Sequence, residues 1–171
     1  QEEAPSNALS ALDIRPGMVV ADVGAGSGYM TLRVAPLVGP MGKVYAEDIQ
    51  PALLQVLQQR VFAAHVSNVD VVLGTDVDAK LPDEAIDLIL LVDVYHEFQH
   101  PREMLRSLRR SLKSGGRLVL IEYRKEDASI PIATTHRMSV AETRAEIEAE
   151  GLTFDRTVET LPRQHIFIFT K

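Results

Sequence analysis

The run Ile86 to Val92 constrains this chain most: it is apolar at every position but Asp87, so a strand made from it has no wet face and belongs in a sheet covered on both sides. It is also far too short to span a membrane, and no membrane insertion is expected. Similar apolar runs recur, most of them followed by helical periodicity. Met18 to Val23 closes on a glycine cluster, after which Tyr29 to Val38 carries Met30, Val34, Leu37 and Val38 at helical spacing. Gly39 to Lys43 stops that helix, and Val44 to Ile49 reads as a second strand. Pro51 suits the first turn of a helix over Ala52 to Ala64, which leads to a third strand, Val69 to Leu73. Met104 to Leu112 is the helix after Ile86 to Val92; Ser114, Gly115 and Gly116 break it, and Arg117 to Glu122 makes a fifth strand. Parallel neighbours need a crossover that a helix provides, so the alternation predicts an α/β fold with helices on both faces of a parallel sheet.

The tail changes character. Val140 to Glu150 reads as a helix ended by Gly151, and Thr153 to Leu161 and Ile166 to Thr170 read as strands joined by the short link Pro162 to Gln164. So short a link allows only antiparallel pairing. The irregular stretch Arg124 to Ser139 follows the fifth strand and should lie over the sheet's C-terminal edge. A length of 171 residues with 46% apolar content suits one domain, 1–171. The chain opens on Gln1, from which the expectation is that a leader or other upstream stretch has been removed; a cytoplasmic setting is expected, with export left open. A homodimer is left open as well. The net charge of -6 argues against a nucleic-acid partner. With no cysteine, the chain has no disulfide, thiolate zinc site or thiol nucleophile, so its chemistry falls to His, Asp, Glu, Tyr and Arg.

Asp22, Val23, Gly24, Ala25, Gly26, Ser27 and Gly28 place three glycines at alternate positions where a strand turns into a helix. Such a turn lets the backbone approach a ligand at the positive end of a helix. Twenty residues beyond Gly28 the second strand ends at Asp48, beside the turn in a doubly wound sheet, where a carboxylate can accept both hydroxyls of a ribose. Glu47 should point to the opposite face, so Asp48 is chosen. After the third strand, Asp76 or Asp78 can accept from an adenine amino group, with Asp76 preferred, and Ile49 and Val77 offer apolar surface to the base.

On these residues the chain resembles the class I S-adenosylmethionine-dependent methyltransferases. Val20 to Leu54 is similar to their first two motifs, and Ile86 to Glu122 to their fourth and fifth strand motifs. The resemblance implies a single-domain, Rossmann-like, doubly wound sheet of seven strands in the order 3-2-1-4-5-7-6, the last antiparallel. It implies S-adenosylmethionine as cofactor, with Gly24, Ala25, Gly26 and Gly28 along its methionine part, Asp48 on the ribose, Asp76 near the adenine, and Asp22 and Asp93 at the methionine end. The function it implies is methyl transfer to a small-molecule acceptor by direct displacement. The alternatives are a cofactor-binding module without catalysis and a nicotinamide oxidoreductase. Tyr29 argues against the latter, because it stands where a dinucleotide turn needs its third glycine.

The fourth strand runs into Asp93, Val94, Tyr95, His96, Glu97 and Phe98, at the edge where open α/β sheets bind ligands. His96 is the candidate base for an acceptor that must lose a proton, with Glu97 as its orienting partner. If Arg124 to Ser139 folds over the cofactor, His136 meets His96 across the acceptor cavity. The histidines show no metal-ligand spacing, so no metal site is expected, and His65, His100 and His165 read as surface residues. The residues after the fourth strand differ from the Asn/Asp-Pro-Pro-aromatic motif of base methyltransferases, and the missing cysteines exclude arsenic methylation. Selection of the acceptor then falls to Arg124 to Ser139, to the residues before Leu12, or to a partner subunit.

Overall fold

A computed structural model describes residues 5–171; residues 1–4 of the expected domain lie outside it. After α1 (Pro5–Ala11), the chain runs through β1 (Val19–Val23), α2 (Thr31–Val38), β2 (Lys43–Asp48), α3 (Pro51–Ala63), β3 (Val69–Leu73), β4 (Ile86–Val92), α4 (Pro101–Ser111) and β5 (Leu112–Arg124), with β3 and β4 joined without a helix. A two-residue β6 (Arg137–Met138), α5 (Val140–Ala149), β7 (Thr153–Val158) and β8 (Gln164–Thr170) complete the chain. The sheet runs β3-β2-β1-β4-β5-β8-β7, and β6 pairs separately with β5. Apart from that extra strand, this is the expected order, and β8 is antiparallel to both its neighbours.

β4 lies between β1 and β5, and Ile86, Leu88, Ile89, Leu90 and Leu91 have no exposed surface. The side chains of the central strands alternate between two cores. Ala21, Val23, Ile89, Leu91, Leu118, Leu120, Phe167 and Phe169 face Met104, Leu105 and Leu108 of α4 and Ile147 of α5. Val20, Leu88, Leu90, Val119, Ile121, Ile166 and Ile168 face α2 and α1. Asp87, the acid in the apolar run, accepts from the Val19 amide at 2.8 Å and from Lys113 Nζ at 2.7 Å, so burial does not strand it.

Two expectations need correction. The break at Ser114, Gly115 and Gly116 is a bulge inside β5: the β4–β5 register slips after Ile86, and a side chain on Gly116 would meet Lys113 and Ile86 carbonyl oxygens within 3.0 Å. His165 is buried, because β8 is covered on both sides; its ring nitrogens lie 2.8 Å from Glu159 and 3.0 Å from Glu126. Helix α1 is not anticipated by the sequence pattern, although its Ala8 and Leu9 are buried in the second core.

β8 occupies one side of β5 through Tyr123, so β6 pairs on the other side, past the end of β4. The stretch Arg124 to Ser139 therefore crosses the C-terminal edge of the sheet, as expected. Arg137 holds it by donating to the carbonyls of Asp127 and Ile132. The capping box of Ser139 and Glu142 then starts α5. No helix among the described residues is long and apolar enough to cross a membrane.

Candidate functional site

β1 ends in a turn where Gly24, Gly26 and Gly28 have φ values of 70°, 55° and 84°, a region in which side chains cost energy. Space is short at two of them: a Cβ on Gly24 would lie 2.5 Å from Val94 Cγ2, and one on Gly28 would lie 2.9 Å from Leu57 Cγ. Gly24 thus lets the turn close on the loop after β4, and Gly28 lets α3 close on the turn. The Ala25 amide donates to the Glu47 carbonyl at 2.8 Å, and its methyl packs with Ala46 and Leu57.

Asp48 ends β2 directly under this turn. Its Oδ2 accepts from the Gly26 amide and its Oδ1 from the Gln50 amide, each at 2.8 Å. Each oxygen keeps another lone pair for an incoming hydroxyl. Asp22 lies deeper and accepts from the Thr31 hydroxyl at 2.5 Å. Burial raises its pKa to about 6 despite that bond. Asp22 therefore braces the start of α2 and does not line the cleft.

Glu47, expected on the other face of β2, lines the same cleft as Asp48. The alternation rule separates the two faces of a strand, but a cleft at the strand's end takes in both. Its carboxyl is buried, and Oε1 has no hydrogen-bond partner among the described residues. Burial raises its pKa to about 8, opposed by the Gly24 amide and reinforced by Asp48, Asp22 and Asp78. The one signal in the sequence is a second acid at a strand end, and Gly74 opposite it, where a Cβ would lie 1.8 Å from Oε1.

The cleft encloses about 260 Å³ and takes in Gly24, Gly26, Asp48, Ile49, Asp76 and Asp93 of the expected set, together with Thr75, Val94, Glu97, Phe98 and Met104. Ile49 is half exposed there, an apolar surface open to a flat ring. Val77 is not part of the lining, and Asp78 turns away to Lys80, Ser107 and Arg110. Of the two acids after β3, Asp76 is therefore the one that faces the cleft. Asp93 has a positive φ of 52° and accepts from Gln164 Nε2 at 2.8 Å.

Beyond Phe98 lies a second cavity of about 320 Å³, lined by His96, Lys125, Thr134, Arg137 and Glu142 among others. His96 Nδ1 lies 2.6 Å from Glu122, which also accepts from the Tyr95 amide at 2.8 Å and has no exposed side-chain surface. Glu97, read from the sequence as the orienting partner, is exposed and lines the first cleft. Neighbours in a tight turn diverge, whereas the β4–β5 pairing carries Glu122 beneath His96. The Glu122 hydrogen bond raises the His96 pKa, against burial. His136 does reach His96, with Nδ1 3.0 Å from Nε2 and the rings edge to face. Ligand-capable atoms of His96, Glu97 and His136 lie within 4.8 Å of one another.

A family model described as a methyltransferase domain matches residues 14–161. Over 113 residues the chain is 34% identical to the ubiquinone/menaquinone biosynthesis C-methyltransferase UbiE of Ectopseudomonas mendocina, a match covering 66% of this chain and 44% of that protein. The chain thus spans less than half the length of that relative. A SAM-dependent methyltransferase from Aquifex aeolicus superposes with a TM-score of 0.92 at 27% identity, covering 99% of this chain and 90% of the other. A type 11 methyltransferase structure from Sulfolobus solfataricus, 20% identical with a TM-score of 0.82 and coverage of 100% and 94%, shares the fold.

Proposed function

Because the chain belongs to the methyltransferase-domain family of the class I S-adenosylmethionine-dependent superfamily, we propose that it transfers a methyl group from S-adenosylmethionine to a small-molecule acceptor. The observation that carries this reading is the contact between Asp48 and the Gly26 amide, which stations a carboxylate with spare lone pairs beside a turn with glycine at every second position. The fit extends to charge, because the acids of the cleft suit a ligand bearing a sulfonium and an ammonium group. Bound there, the cofactor supplies a methyl group on a positively charged sulfur, open to in-line attack. Gly24, Gly26 and Asp93 would hold its methionine part, Asp48 its ribose, and Asp76 and Ile49 its adenine.

The cavity beyond Phe98 takes the acceptor. Its walls carry both signs of charge, which suits a polar molecule. Holding the nucleophile aligned is the main contribution the protein makes. Where the acceptor must lose a proton, His96 Nε2 takes it, with Glu122 holding Nδ1 and stabilising the imidazolium that forms. His136 Nδ1 lies 3.0 Å from that atom and gives way to the acceptor, and Glu97 has a ligand-capable oxygen within 4.8 Å of the two imidazoles. The stretch Arg124 to Ser139 selects the acceptor, and on the sequence reading the enzyme works in the cytoplasm, alone or as a homodimer.

The test is formation of S-adenosylhomocysteine with a panel of phenols, quinols, amines and carbon acids; quinols are included because of the UbiE relative. At least one class should turn over, and His96→Ala should lower its rate by about 10²-fold or more if a proton is lost. Calorimetry in which neither S-adenosylmethionine nor S-adenosylhomocysteine binds would refute the proposal.

A further inference from the structure

The cofactor cleft is lined by five acidic side chains, Glu47, Asp48, Asp76, Asp93 and Glu97, and no Lys, Arg or His is among its described lining residues. Four of these have visible tasks or open exposure. Asp48 receives two backbone amides, Asp93 receives Gln164, and Asp76 and Glu97 are exposed to solvent. Glu47 differs, since it is 2% exposed and its Oε1 has no hydrogen-bond partner among the described residues. Only the missing side chain of Gly74 leaves space for that oxygen. A buried carboxyl with an unused oxygen, aimed into an acid-lined cleft, is a group whose charge depends on the occupant.

We infer that Glu47 is a further cofactor-binding residue that reads charge: it gives up its proton to solvent when a cation fills the cleft, so the cleft prefers the sulfonium cofactor to the neutral thioether product. This rests on the cofactor reading proposed above. The charges that act on Glu47 are Asp48 on its own strand, Asp22 from β1 and Asp78 after β3, and the Gly24 amide donates to its carboxylate. Asp78 is itself paired with Lys80 and Arg110, and the loop after β4 adds Asp93 and Glu97 to the same cleft. The neighbouring acids disfavour a second charge and burial does the same, which is why the proton is held to about pH 8. A bound cation reverses both influences.

The sign follows from linkage. Below about pH 8 binding of the cation must release a proton from Glu47, so affinity for it rises with pH and levels off above that value. S-adenosylhomocysteine has the same amino and carboxylate groups but no sulfonium, and lacks this contribution. Transfer of the methyl group removes the charge, Glu47 takes its proton back, and the product is held less firmly.

The experiment is calorimetric titration of the full chain with each ligand between about pH 6 and 8, in phosphate and in Tris, whose ionisation enthalpies differ, so that proton release is read directly. For the wild type, the ratio of S-adenosylmethionine to S-adenosylhomocysteine affinity should rise with pH, by at most about tenfold per unit, with release of up to about one more proton for the cation. Glu47→Gln, close in shape to the protonated acid, should bind both ligands with a ratio that no longer changes. A pH-independent ratio in the wild type, or an unchanged slope in Glu47→Gln, would overturn the inference while leaving the cofactor assignment intact. Failure of both ligands to bind would overturn both.

Discussion

Replacing Glu122 by Gln tests the link between the buried acid and His96 without requiring the acceptor. Glu122 accepts from the Tyr95 amide at 2.8 Å and lies 2.6 Å from His96 Nδ1, in a position with no solvent to compensate a loss. An amide offers one oxygen where the carboxylate offers two, so one of the two buried donors loses its acceptor and meets an N–H. An unsatisfied buried donor costs about 1–3 kcal/mol. For a chain of this size, a loss of about 2 kcal/mol lowers Tm by roughly 4–8 °C. The imidazole must also respond. Its pKa lies above the ordinary value of 6.5 chiefly because of Glu122, and without that charge the opposing effect of burial takes over. NMR titration of the imidazole and calorimetric melting should both register the change, with the His96 pKa falling below its wild-type value. If Glu122→Gln left the imidazole titration in place, Glu122 would not be what poises His96, and the proton-transfer route would fail.

Two further outcomes follow from the site's geometry. Gly28→Ala puts a Cβ at φ 84° and 2.9 Å from Leu57, and should cost about 2–4 kcal/mol from the left-handed backbone and the overpacking together, read by urea denaturation; a loss under about 1 kcal/mol would mean that α3 does not close on the turn. Asp22 has its pKa raised from 3.8 to about 6 in the folded chain, so its ionisation costs stability that is absent at low pH and complete once the pH exceeds its folded pKa. Asp22→Asn should therefore gain about 2–3 kcal/mol relative to wild type between pH 4 and pH 8; a constant difference in stability would show that Asp22 is not desolvated.

Much of this was legible from residue order alone. The run Ile86 to Val92 required a central strand, the helices after most of the apolar runs required parallel neighbours, and the glycine turn with Asp48 marked one end of the sheet as a ligand edge. These features are local, because periodicity and backbone freedom are properties of short segments. What tertiary structure decided was which distant side chains share a volume. It replaced Glu97 by Glu122 as the partner of His96, chose Asp76 over Asp78, buried His165 and brought Glu47 into the cleft of Asp48. Each depends on strand pairing or packing between segments far apart in the chain, and the direction of a side chain at the end of a strand is set by the elements that meet there.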